Sequence, residues 1–207
     1  MGNVRDVGAT LGWTFGRAVP VTLEAGVFNG SGLTGQKDFW TDRFNYSVKA
    51  QAQFARRVLL SASVQKIRPG TVDIMMYDAG VYYDCGGWHV EGEYLRKEYA
   101  GRVFPGVDAV DAFVCRDIPL RRLFRKISLL ARYDYMSDHS DGLPDADGVL
   151  VVSDPKRHRL TGGLTFSLGL PFTADIRLNY EAYFYDRGAQ PALSEQDKVV
   201  VELMCRF

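Results

Sequence analysis

Along several stretches of this chain, charged side chains stand at every second residue, and that spacing limits the chemistry they could do. In 172–185, Asp175, Arg177 and Glu181 alternate with Ala174, Ile176, Leu178 and Tyr180; in the closing run DKVVVELMCRF, Lys198, Glu202 and Arg206 alternate with Val199, Val201, Leu203 and Cys205. An extended strand sends successive side chains to opposite faces, so each stretch carries one wet face and one greasy face. The wet set collected in this way holds Lys49, Lys97, Arg116, Arg132, Arg159, Arg177 and Arg206, accompanied by Glu24, Asp78, Glu91, Glu93, Asp134, Glu181 and Glu202. Cations around a confined aqueous path attract anions and pass them along. The carboxylates nearly cancel them, so pairing across strands that holds the sheet in shape is the competing reading. Lys49, Arg132 and Arg177, midway along strongly alternating segments, are the candidates for a conduction path.

The other constellations offer no bond-making chemistry, and no catalytic residue, cofactor or metal is expected. GSGLTG at 30–35 matches the G-x-G-x-x-G spacing of a dinucleotide loop, but QKDFWTDRFNY behind it is no amphipathic helix. The following strand alternates where a parallel sheet would want a continuous apolar run, so the glycines read as an external loop. Asp138, Asp141, Asp145 and Asp147 crowd the run SDHSDGLPDADG without the spacing of an EF-hand, and a solvated loop is expected there. His89, His139 and His158 are far apart, and no serine or cysteine sits in a nucleophile elbow. Cys85, Cys115 and Cys205 are odd in number and lack a C-x-x-C pair, which suggests neither a disulfide framework nor a zinc site. Arg121, Arg122, Arg125 and Lys126 fall in a turn, where phospholipid headgroups or water suffice as partners.

The elements that must position these residues are strands. Aromatics make up 13% of the chain and glycine contributes 21 residues, a composition that suits pleated structure and tight turns. No stretch approaches the roughly 18 apolar residues of a membrane helix, and the mean hydropathy is −0.14. Lys plus Arg and Asp plus Glu both number 25, so no long-range field recruits nucleic acid. Period-two alternation marks about eleven strands, at 7–15, 19–28, 43–55, 58–66, 77–84, 88–97, 109–116, 127–136, 160–168, 172–185 and 197–207. Short joins at 16–18, 56–57, 85–87, 117–125 and 169–171 alternate with long polar ones at 29–42, 67–75, 98–107, 137–159 and 186–197. That segregation, with outward aromatics such as Trp13, Phe54, Tyr83, Trp88 and Phe207 toward strand ends, predicts an all-β antiparallel transmembrane barrel meander forming one domain over 1–207. A lipocalin-like soluble barrel binding a ligand in its mouth is the alternative.

The same segments resemble the phosphate-selective porin O and P family of Bacteroides-like bacteria. The matching pieces are RDVGATLGW, LEAGVFNGSG, RLTGGLTFSL, ADIRLNYEAYFY and the closing DKVVVELMCRF, in order across nearly the whole chain. The resemblance implies an outer-membrane porin of roughly sixteen strands, passive diffusion of small anionic, phosphate-like solutes, assembly as a homotrimer and no enzymatic activity. It covers only the C-terminal portion of such a barrel, and 1–15 has no basic segment followed by an apolar core. A C-terminal fragment is therefore expected, either part of a working pore or a non-functional remnant.

Overall fold

The computed structural model describes residues 7–30, 44–68, 72–121, 123–169, 173–186, 189 and 191–206, with only the backbone of Thr173 and Arg206. Most of GSGLTG, Arg122, Phe207 and the side chain of Arg206 therefore lie outside the described residues.

Eleven strands follow one another: β1 (Gly8–Phe15), β2 (Val21–Phe28), β3 (Asn45–Phe54), β4 (Val58–Ile67), β5 (Ile74–Cys85), β6 (Trp88–Tyr99), β7 (Val107–Pro119), β8 (Phe124–Met136), β9 (Arg157–Leu168), β10 (Thr173–Tyr185) and β11 (Lys198–Arg206). Each pairs antiparallel with its sequence neighbours, giving one sheet in the order β1 to β11. No α-helix occurs among the described residues. The expected all-β antiparallel meander is therefore what forms. Several strands run longer than alternation alone suggests. Met75 and Met76 are both apolar and break the pattern, yet they pair with Glu98 and Lys97 inside β5 and β6. The expected join at 117–125 shortens because Asp117, Ile118 and Pro119 continue the ladder against Ser128, Ile127 and Lys126.

Tight turns join odd strands to the next even ones. Between β5 and β6 the two central residues are Gly86 and Gly87 at φ 59° and 80°, the left-handed pair that a two-residue hairpin of matching twist requires. A Cβ on Gly87 would meet the Asp117 carbonyl oxygen at 2.9 Å, and that strand edge also sends the Asp117 amide to the Gly87 carbonyl at 2.7 Å. Gly87→Val should lower stability by roughly 1–3 kcal/mol from the forced backbone alone. The urea midpoint of the variant measures it.

Alternation gives the sheet two unlike faces. In the row Glu24, Lys49, Ser63 and Asp78, opposed residues on β2 to β5 share the polar face. The other face carries rows such as Leu164, Leu178 and Val201 on β9 to β11. Large apolar side chains on that second face stay open to the surroundings, from Leu11 at 79% and Trp13 at 67% on β1 to Val201 at 69% on β11. The one cluster of buried apolar residues among those described is small and sits at the long-loop end: Ile74, Tyr99, Phe104, Val107 and Leu150. No second layer covers the sheet among the described residues. Among the described residues, β1 pairs only with β2, and β11 only with β10.

Candidate functional site

The wet face gathers its charges into a ladder that crosses β7 to β11. Arg132 on β8 donates to Asp111 on β7 and, through Nε at 3.0 Å, to Asp134 on its own strand. Asp134 accepts in turn from Arg159 Nε on β9 at 2.8 Å. Arg159 Nη1 lies 3.6 Å from Glu181 on β10, and Lys198 on β11 closes the run 3.5 Å from that same carboxylate. Tyr183 donates its hydroxyl to Glu181 at 2.8 Å. Registry explains the alignment, since Asp111, Asp134, Arg159 and Tyr183 face each other on successive strands. Nearer the short turns, Arg177 meets Glu202 at 3.4 Å and Lys126 meets Asp117 at 2.6 Å. Three recesses open on this face among the described residues, the smallest, about 220 Å³, beside Glu24, Lys49 and Ser63. Another, of about 320 Å³, is bordered by Glu93, Asp111, Asp134, Arg157 and Arg159. The third, of about 490 Å³, has His89, Glu91, Lys126 and Arg177 along its walls.

The expected wet set divides once placed. Lys49, Arg132, Arg159, Arg177, Glu181 and Glu202 do share the polar face. Lys49 is exposed and makes no ion pair among the described residues, opposite Glu24 and Ser63. Arg206 registers with Thr173, and its side chain lies outside the described residues. Arg116 needs correction: it opposes Trp88 and Leu129 on the apolar face, with its guanidinium 4.9 Å from the Trp88 ring centroid. The run VDAVDAFVCRD has Asp108 and Asp111 three apart, so it can be phased either way, and ladder registry puts Asp111 on the wet side. Asp111 was the member sequence reasoning missed, whereas alternation had already put Lys198 on the charged face of the closing strand. Only the charge of Arg132, with no partner assigned on the neighbouring strand, could have pointed to Asp111.

Lys97 is the second correction, because it lines no open path. It is buried at 6% exposure beneath the loop between β8 and β9. Its ammonium donates to the Ser140 carbonyl and lies 2.9 Å from His139 Nε2. Tyr99 donates to the same carbonyl and accepts the Ser140 amide at 3.0 Å. Leu150 follows into the apolar cluster, so the loop is tied down at its start and near its middle. The aspartates of this loop serve its backbone. Asp145 accepts the amides of Asp147 and Val149 at 3.0 and 2.9 Å, and Asp138 accepts that of Lys156 at 2.8 Å.

The loop anchor carries a pH dependence. Burial, then the Lys97 charge, holds His139 below its ordinary value of 6.5 against the pull of Asp154 and Asp141. A base depressed in the folded state binds its proton more readily when the loop is released. Anchoring is thus complete above 6.5 and fades as the pH falls through the lowered value. Protease cleavage between Asp141 and Ser153 should rise on acidification in the native protein and stay flat in His139→Asn. At the same end, Asp73 works against its own desolvation but is held below the usual carboxylate range by Lys66 and Arg68, at 3.3 Å from each.

No family model, curated protein or solved structure matches the chain.

Proposed function

We propose that this sheet is part of the wall of an outer-membrane porin, with its apolar face against acyl chains and its polar face along a water-filled path for small solutes. The observation that carries the reading is the apolar face itself, open from β1 to β11 with nothing packed over it among the described residues. A soluble protein rarely leaves more than a few hundred Å² of contiguous apolar surface uncovered. The face is also banded. On β7 it holds Val110, Ala112 and Val114 between Asp108 and Arg116, two charges roughly 27 Å apart along the strand at about 3.4 Å per residue. At a barrel strand's tilt of about 40° that spacing projects to roughly 21 Å along the membrane normal, and the long Arg116 side chain extends it toward an apolar belt of about 25 Å. Tyr46, Tyr77, Tyr94 and Tyr133 lie toward one margin and Trp13, Phe54, Tyr83 and Trp88 toward the other, where amphipathic rings settle at headgroup level.

Hydrocarbon leaves no unpaired backbone edge unpunished, so the outer edges of β1 and β11, which pair with no further strand among the described residues, require partners. In an eleven-stranded meander both edge strands run from the long-loop end to the short-turn end. Joined directly they would be parallel, whereas an odd number of added strands closes the barrel antiparallel throughout. The resemblance to phosphate-selective porins supports the same arrangement. Preference for anions has weaker support, because Arg132, Arg159, Arg177 and Lys126 are each tied to carboxylates. Protein taken from outer membranes in detergent, with whatever strands complete it, should give stepwise conductance in planar bilayers. Solubility without detergent, or silence in the bilayer, sinks the reading in favour of a soluble barrel or an inactive remnant.

A further inference from the structure

The two rims of the sheet differ in charge, and the difference concerns lipid. Arg17, Arg56, Arg57, Arg116, Arg121 and Arg125 all lie in the short turns or within the last few residues beside them. Arg17, Arg56, Arg57, Arg121 and Arg125 are exposed and make no ion pair among the described residues, but Arg125 borders a recess on the polar face and leaves the outer margin to the others. The carboxylates of this rim face the polar side and are engaged there: Asp84 by His89 at 2.8 Å, Asp117 by Lys126 at 2.6 Å and Asp175 by Ser167 at 2.6 Å. Nothing on the outer margin offsets the arginines among the described residues. The long-loop end is the opposite case, with five aspartates in the loop between β8 and β9.

Two features aim this charge at a bilayer rather than at water. Arg116 emerges on the apolar face, stacked on Trp88 and donating to the Gly86 carbonyl at 2.6 Å, so its charge sits at the level of an interfacial ring. In the turn between β7 and β8, Leu120 and Leu123 flank Arg121 with 37% and 71% of their surfaces open. Apolar side chains interleaved with arginines suit a headgroup boundary, where the leucines reach the acyl margin and the guanidinium groups reach phosphate.

We propose that the short-turn rim is a basic collar that binds the phosphate headgroups of anionic phospholipids in the adjoining leaflet. The inference rests on the membrane reading given above, and it supplies that wall with a fixed depth and a preferred lipid. Each arginine near an anionic surface contributes about a fivefold gain in binding, and the gain fades with salt.

The test compares detergent-purified protein inserting into vesicles of pure phosphatidylcholine with vesicles containing phosphatidylglycerol, followed by tryptophan fluorescence and by the lipid retained on re-extraction. Stronger retention of phosphatidylglycerol, weakened by high salt and cut by more than about tenfold in Arg17→Gln/Arg57→Gln/Arg121→Gln, is the expected result. These three lie in exposed turns, so the variant keeps the ladder intact, and the salt titration of the unaltered protein tests the collar even if the variant misfolds. Equal retention of both lipids, or retention abolished by low concentrations of inorganic phosphate, overturns the collar while leaving the wall standing. Failure to enter either vesicle overturns the wall and the collar together.

Discussion

Leu178→Arg should abolish stable insertion into a bilayer while leaving the protein's behaviour in denaturant without lipid almost unchanged. Leu178 stands midway along β10 on the apolar face, between Leu164 and Val201, and is already 44% exposed. In water a charge at so open a site costs little, within about 0.5 kcal/mol. Against acyl chains the same guanidinium near the midplane costs roughly 2–4 kcal/mol. Gln51→Arg is the matched control, since Gln51 faces Thr22 and Ser61 on the wet side and should insert normally. Folding yield in lipid vesicles, with the gel shift between unheated and heated samples as readout, separates the two. Equal yields for both variants would mean that neither face meets lipid.

The distinction between those faces was legible in the sequence. Period two survives in β3 and β10 because residues of one face there are polar or charged and those of the other apolar or aromatic, and a slip of one residue would exchange the faces. Turn positions were legible for a related reason. Gly86 and Gly87, and the Gly16 to Pro20 join, are sequences that can turn and cannot easily extend. What sequence left open was phase within β7 and the fate of the long loop. Asp108 and Arg116 share one face while Asp111 and Asp117 share the other, so charge alone gave β7 no orientation. Only its ladders with β6 and β8 supply one.

Lys97 shows a different limit. Alternation puts it correctly on the polar side of β6, yet a contact roughly forty residues away decides its environment. Ser140 and His139 descend onto it because Leu150 gains burial beside Ile74 and Phe104. Such tertiary closure has no period and no motif. Nor did sequence say which cations were spoken for, because pairing depends on which residues oppose each other across strands.

That pairing makes Arg159 the test of whether the ladder is architecture or conduit. Its side chain is 27% exposed, and its partners Asp134 and Glu181 are 20% and 16% exposed. Arg159→Met keeps the stem's packing and removes the donor to Asp134 at 2.8 Å. Asp134 retains Arg132, and Glu181 retains Tyr183 and Lys198, so the loss falls short of that for a fully buried pair. A charged hydrogen bond of this kind contributes about 1.5–3 kcal/mol, and the variant should lose about 2 kcal/mol. In an Asp134→Asn background the same substitution should cost less than about 1 kcal/mol, because the carboxylate it would strand is gone. Lys49→Gln, at an exposed cation with no ion pair among the described residues, should leave the urea midpoint within about 0.5 kcal/mol of the parent and alter ion flow instead. If Arg159→Met changed conductance but not stability, the ladder would be part of the path, and the polar face would be held in shape by its backbone ladders alone.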